Sequence, residues 1–152
     1  IALAERMAQI DRPEADQYRE RGKAFVAKWR EAAARWQEQV GPLKGVPVVV
    51  YHRGLSYLLR WLGLREVGSL EPKPRLPPSA THLSGLLESL KAKPAKAVLR
   101  SAYNDPRAAQ WVSERAGIPV IVLPYTVGGT DKAIDLFALY EVTIVSLLKV
   151  AP

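Results

Sequence analysis

Two histidines and no cysteine are all the imidazole and thiol from which this 152-residue chain could build a transition-metal site. Without thiolate, such a metal must rest on imidazole, carboxylate or backbone oxygen, and disulfides are excluded as well. His52 follows directly on the β-branched run from Val46 to Tyr51 and precedes Arg53-Gly54. It therefore sits where a buried strand turns towards a helix, and neutral imidazole is the commonest protein ligand for zinc and similar metals. A histidine that only hydrogen-bonds at a strand end fits the same place, and spacing alone does not separate the two. His82, three residues into a predicted helix, has Pro78 and Leu86 one helical turn to either side, hence no ligand-spaced partner. It is expected to be a surface helix residue. Gly128-Gly129 ahead of a helix could cradle an anion on backbone amides. The chain lacks both the Gly-Lys-Ser/Thr of a phosphate-binding loop and three spaced glycines of a dinucleotide fingerprint, so a tight turn is the simpler reading. No Gly-x-Ser-x-Gly elbow is present, and Ser101 has no identifiable histidine and acid partners, which leaves catalysis with little support.

The elements that must position these residues follow from apolar spacing. Tyr18, Gly22, Phe25, Trp29, Ala32, Trp36 and Val40 recur every three or four residues, which predicts one helix of about 28 residues from Pro13 to Val40, with its aromatic stripe in the core. Asp11 is its expected N-cap, Pro13 lies where a missing amide is harmless, and Gly41-Pro42 ends it. Residues 1–10 form a separate short helix. After Gly45, short apolar runs alternate with helical segments: strands over 46–51, 66–70, 95–99 and 118–123, and helices over 55–62, from Ser79 to Ala92, from Asp105-Pro106 to Gly117, and from Thr130-Asp131 onward, the last with Ile134 on its inward stripe. This alternation predicts an α/β fold: a four-stranded parallel sheet with helices on both faces, preceded by the long helix. In open parallel sheets ligands bind beyond the carboxyl ends of the strands. The residues expected there are Tyr51 to Gly54, Glu71, Ser101 to Asn104, and Tyr125 to Gly129, a polar, glycine-bearing rim. The proline-rich segment 71–79 is a stiff loop.

A chain of this length can bury a sizeable core. Hydrophobic residues make up 48% and charged residues 24%, ordinary proportions for a globular domain. No apolar run approaches the roughly 20 residues that cross a bilayer. The net charge of +7 comes from Lys and Arg interleaved with acids, as in Arg19-Glu20-Arg21, so a solvated surface is expected rather than a nucleic-acid-binding block. Residues 1–7 read as amphipathic helix with no signal-peptide pattern. With no initiator Met, the chain is expected to be part of something longer.

The order of these pieces resembles the C-terminal half of the metal-specific solute-binding proteins of ABC transporters, the zinc and manganese family, along essentially the whole chain. Asp11-Arg-Pro-Glu-Ala-Asp-Gln-Tyr18 and the helix to Trp36 resemble that family's entry into the rigid helix joining two lobes. Val49-Val-Tyr-His-Arg-Gly-Leu-Ser-Tyr57 with Leu62-Gly-Leu64 resembles its strand, ligand histidine and following helix, and is the most specific segment. Glu71-Pro72, Pro77-Pro78-Ser79 and Pro124-Tyr-Thr-Val-Gly-Gly129 resemble its later loops.

The resemblance implies a division into residues 1–40, a short helix plus the inter-lobe helix, and 41–152, a C-terminal metal-binding lobe whose N-terminal companion is absent. It implies that His52 binds the metal and that the other histidines lie in the N-terminal lobe or at the lobe junction, which this chain lacks. Many members add an Asp in the last loop, where this chain has Thr126-Val-Gly-Gly; Glu71 and Asp131 are the candidate replacements. Arg100 stands where many members carry an acid. Fewer carboxylates favour Zn2+ over Mn2+. The implied function is capture rather than catalysis: a monomeric periplasmic, or lipid-anchored extracytoplasmic, protein that hands the metal to an ABC permease in the inner membrane. The stiff helix implies small lobe movements. The isolated lobe, with one of about four ligands, is expected to bind zinc weakly or not at all. The alternative is a nucleotide- or phosphate-binding half of an α/β enzyme, using the rim from Tyr103 to Gly129.

Overall fold

The computed structural model describes residues 1–73 and 76–151. Pro74 and Arg75, in the proline-rich loop, lie outside the described residues. The chain forms two compact units, Ile1–Glu38 and Gln39–Pro152.

The first unit is helical. Helix α1 (Ala2–Ile10) leads into a single 3-10 turn, Arg12–Glu14, and then α2 (Ala15–Gln39). At 25 residues, α2 is about 38 Å long. Asp11 does not cap it as the sequence suggests; its carboxylate accepts a hydrogen bond from Tyr18 Oη at 3.1 Å instead, and the 3-10 turn containing Pro13 intervenes. Arg19 donates from Nε and Nη2 to the two oxygens of Glu5, each at 2.9 Å, pinning α1 to α2 in a forked pair. Gly22 permits the approach, since a Cβ there would stand 2.7 Å from Ala4 Cβ. The aromatic stripe is only partly core. Ala32 and Trp36 are buried, whereas Phe25 is 48% exposed. Its rings stack on one another instead, Phe25 on Trp29 at 6.1 Å and Trp29 edge-on to Trp36 at 5.6 Å.

In the second unit, β1 (Pro47–Val50), β2 (Arg65–Ser69), β3 (Ala97–Ser101) and β4 (Val120–Leu123) form one sheet in the order β2-β1-β3-β4, with every pairing parallel. The sequence reading of an α/β fold on a four-stranded parallel sheet holds. Helix α3 (Ser56–Leu62) links β1 to β2, α4 (Ala80–Ala92) links β2 to β3, and α5 (Pro106–Ala116) links β3 to β4. The first link runs outward to one sheet edge and the other two towards the opposite edge. Right-handed crossovers then put α3 on one face and α4 and α5 on the other. Val49 and Val98 accordingly pack with Leu83, Leu86 and Val112, while their alternating neighbours Val48, Val50 and Leu99, equally buried, face the other way. On that side Trp61 of α3 meets Tyr140 of α6 (Leu136–Leu148) edge-on at 6.0 Å.

Expected punctuation is largely where local chemistry puts it. Ser79 Oγ accepts from the His82 amide, Asp105 Oδ1 accepts from the Arg107 amide with Pro106 at the first helical position, and Gly63 and Gly117 end their helices in the left-handed conformation. Strand β1 is in register with β2 as Val48↔Glu66 and then Val49↔Gly68, so Val67 is an extra residue, a bulge.

The last helix is a correction. Thr130-Asp131 does not begin it; Ala133 N–H closes a turn onto the Thr130 carbonyl at 3.0 Å, and the N-cap is Asp135, whose Oδ1 accepts from Ala138 N at 2.7 Å. Ile134 is consequently 76% exposed rather than on the inward stripe. Asp135→Ala is expected to cost about 1 kcal/mol, and Asp131→Ala next to nothing. Denaturant titration of the two variants reads the difference; equal losses would contradict this helix start.

Candidate metal centre

His52 leaves β1 in an extended conformation, φ −132° and ψ 144°, before the 3-10 turn Arg53–Leu55. Its backbone neighbourhood is tied on both sides. The Tyr51 amide donates to the Leu99 carbonyl at 2.8 Å, and the Tyr51 carbonyl accepts from the Glu71 amide at 3.1 Å and Ser69 Oγ at 3.3 Å. Backbone hydrogen bonding between the two segments thus runs a residue past both strands. The bulge has advanced the register so that Val50 pairs with Ser69, and just beyond the strands Glu71 lies alongside His52. Their side chains meet, with His52 Nδ1 and Glu71 Oε2 2.8 Å apart. An ionised carboxylate can only accept, so Nδ1 carries a proton; in the neutral imidazole, the form that binds metals, this leaves the lone pair on Nε2. The imidazole is 42% exposed and the carboxylate 19%. This places the acid beneath the ring and leaves the ring edge at the surface.

Gly54 keeps that edge open. A Cβ there would lie 3.0 Å from His52 Cδ2 and 3.6 Å from Nε2. The Tyr125 hydroxyl borders the same point at 3.9 Å. Tyr103 stands edge-on to Tyr125, with centroids 5.5 Å apart.

Of the other sequence-derived candidates, Glu71 is brought to His52 and Asp131 is not. Asp131 is exposed in the turn before α6, and among the described residues no group of three or more His, Asp or Glu is placed to hold a metal. His82 is not a plain surface residue. Its Nε2–H donates to the Ser69 carbonyl at 2.9 Å in a partly buried setting, so it braces the end of β2 two residues before Glu71. Arg100 stitches the turn after β3, donating from Nη1 to the carbonyls of Ser101 and Asn104 at 3.1 Å each. Ser101 is buried within that turn. The amides of Gly128 and Gly129 are spent on the carbonyls of Ala133 (2.7 Å) and Thr126 (2.9 Å), which leaves no anion cradle at that turn.

Two groups near the rim have displaced pKa values. The Tyr51 phenol is pushed up, by burial first and then by the charges of Asp105 and Glu71. The Asp105 carboxyl is pulled down to about 2, chiefly by hydrogen bonds from the Arg107 side chain and amide. Sequence reasoning missed Gly54 and Tyr125 as members of the centre. Both stand on the rim it outlined, but their proximity to the ring of His52 is a tertiary fact with no sequence signature.

Residues 2–149 match the family described as zinc-uptake complex component A, periplasmic, and the chain belongs to this ZnuA family. Among curated relatives, the high-affinity zinc uptake system protein ZnuA of Brucella abortus is 23% identical over 110 residues, covering 72% of this chain and 33% of the relative. The same protein of Brucella suis matches equally. The chain spans about a third of the length of these relatives. Among solved structures, a crystal structure of ZnuA superposes with a TM-score of 0.76 at 19% identity, covering 97% of this chain and 54% of that one. FpvC of Pseudomonas aeruginosa, a binding protein in complex with Mn2+, gives 0.70 at 19% identity, covering 95% and 55%. These likenesses show a shared fold.

Proposed function

We propose that this chain is one lobe of the substrate-binding component of a metal ABC importer, capturing Zn2+ in the periplasm and delivering it to an inner-membrane permease. The zinc is cargo, and nothing in the reading requires catalysis. His52 is the ligand from this lobe, through Nε2, and Glu71 is its orienting partner rather than a ligand. The observation that carries this is the 2.8 Å contact between His52 Nδ1 and Glu71. A carboxylate on the far nitrogen of a ligating histidine fixes the tautomer, aims the ring and makes the free nitrogen a better donor. With its one nearby carboxylate spent in this way, the lobe offers nitrogen ahead of oxygen, which favours Zn2+ over Mn2+. The remaining ligands come from a second lobe joined through α2, and a helix of this length supports small lobe movements rather than a wide clamshell. Residues 1–40 are then connection and 41–152 the binding lobe.

The test is a Zn2+ titration of this chain followed by nitrogen NMR of its two histidine rings. Binding is expected to be weak, because one ligand of about four is present. The His52 Nε2 resonance should move first and furthest, with Nδ1 remaining protonated. Movement of His82 with His52 unchanged would sink the reading. The rival, a phosphate- or nucleotide-binding half-enzyme, is disfavoured by the occupied amides of Gly128 and Gly129.

A further inference from the structure

Tyr125 is the one residue other than glycine with a positive φ among those described, at 65°. Its neighbours close a three-residue turn around it, Thr126 N–H donating to the Pro124 carbonyl at 2.8 Å. A γ-turn with positive central φ is rare and strained, and a bulky side chain held in that region costs on the order of 1–3 kcal/mol. Strain of this kind persists only where the surroundings impose it, and here they do. Gly129 N–H donates to the Thr126 carbonyl at 2.9 Å, and the Gly129 backbone passes so close to the Pro124 carbonyl that a Cβ would overlap it. Core burial is not the gain that offsets the strain, because Tyr125 is 48% exposed. What the conformation achieves is a direction. It sends the ring across the rim, where Tyr103 supports it edge-on and its hydroxyl borders the same open point above Gly54 as Nε2 of His52. The loop from Pro124 to Thr130 contains no carboxylate, and the oxygen placed nearest the open point beside the His52 ring is the Tyr125 hydroxyl.

We propose that the Tyr125 hydroxyl is the second metal-directed donor of this lobe, an oxygen that enters the coordination sphere of a divalent cation held on His52. The assignment rests on the reading of His52 given above. It makes the strained turn a device for aiming one oxygen, and it makes the bare Gly54 the space in which ion and phenol meet. A lobe offering one imidazole nitrogen and one phenol oxygen suits a small divalent ion of mixed nitrogen and oxygen preference, such as Zn2+ or Co2+.

The experiment uses Co2+ as the probe, titrated into this chain with its tyrosine rings isotopically labelled. Even weak binding then registers as paramagnetic shift and broadening. The Tyr125 signals should respond well ahead of those of Tyr18, Tyr57 and Tyr140, and Tyr125→Phe should weaken Co2+ binding at least about tenfold, since losing a ligand should cost no less than losing the outer partner of one. His52→Ala should abolish the response. Tyr125→Gly separates aiming from scaffolding: glycine relieves the positive φ, so this variant should melt no lower than the wild type and yet bind as weakly as Tyr125→Phe. If Tyr125→Phe binds Co2+ within about twofold of wild type, well short of the expected loss, while His52→Ala does not bind, the tyrosine assignment is wrong and the histidine one stands. If Co2+ binding survives His52→Ala, the underlying reading fails instead. A Tyr125→Gly variant that melts lower than the wild type would mark the turn as structural and overturn the proposal.

Discussion

On the proposed reading, His52→Ala is expected to lower the zinc affinity of the two-lobe protein by more than about 100-fold, and Glu71→Gln by about 10- to 100-fold, the range typical for loss of an outer partner of a metal-bound histidine. The ordering follows from the geometry. Removing the imidazole removes a ligand outright, whereas the amide oxygen of the glutamine variant would still accept from Nδ1–H while giving up the charge that strengthens Nε2 as a donor. Competition against a chromogenic chelator at neutral pH measures both. The fold should be indifferent to either change, since His52 is 42% exposed and the ladder beneath it is made by the backbone of Tyr51 and Glu71 with the Ser69 hydroxyl. Equal affinities for His52→Ala and the wild type would remove this residue from the site. A Glu71→Gln variant weaker than His52→Ala would mean that Glu71 is itself the ligand.

The second large effect concerns stability. Gly129→Ala places a methyl group onto the Pro124 carbonyl, and because both sides of that contact are backbone, the loop must shift. The expected cost is about 2 kcal/mol, in the range of overpacked sites, or about 4–8 °C in melting temperature for a chain of this size. Gly85→Ala is the control. It lies inside α4, a Cβ there meets nothing within 4 Å, and its φ is not in the left-handed region. It should stabilise the protein by up to about 1 kcal/mol. Thermal melts of the two variants in parallel decide the matter, and a neutral Gly129→Ala would show that the last loop is not clamped as described.

The caps and strand ends were legible because each is set by local chemistry. Ser79, Asp105-Pro106 and Gly117 act within a turn of their own helices, and His52 lies beyond a β-branched run that has few alternatives. The start of α6 was not legible, since Thr130-Asp131 and Asp135 are both competent caps within six residues of one another. What decides between them is the stacked turn returning Gly128 N–H and Ala133 N–H to nearby carbonyls, and this turn has no strong signature. His82 was misread because a helix position says which face a residue is on, not that the end of β2 lies opposite it. The conformation of Tyr125 could not be anticipated at all, because tyrosine has no preference for positive φ. The lack of a carboxylate in the last loop is plain in the sequence, but the oxygen standing in that region is visible only once the turn is folded.

The bulge at Val67 gives the centre an unusual genetic fragility. Through it, Val50 pairs with Ser69, and Glu71 is carried forward to the histidine. With a regular ladder the same histidine would face Leu70, a fully buried apolar residue, although neither His52 nor Glu71 had changed. A single-codon deletion in β2 is therefore equivalent to a missense change at the site, because what brings the pair together is a count of residues between two strands.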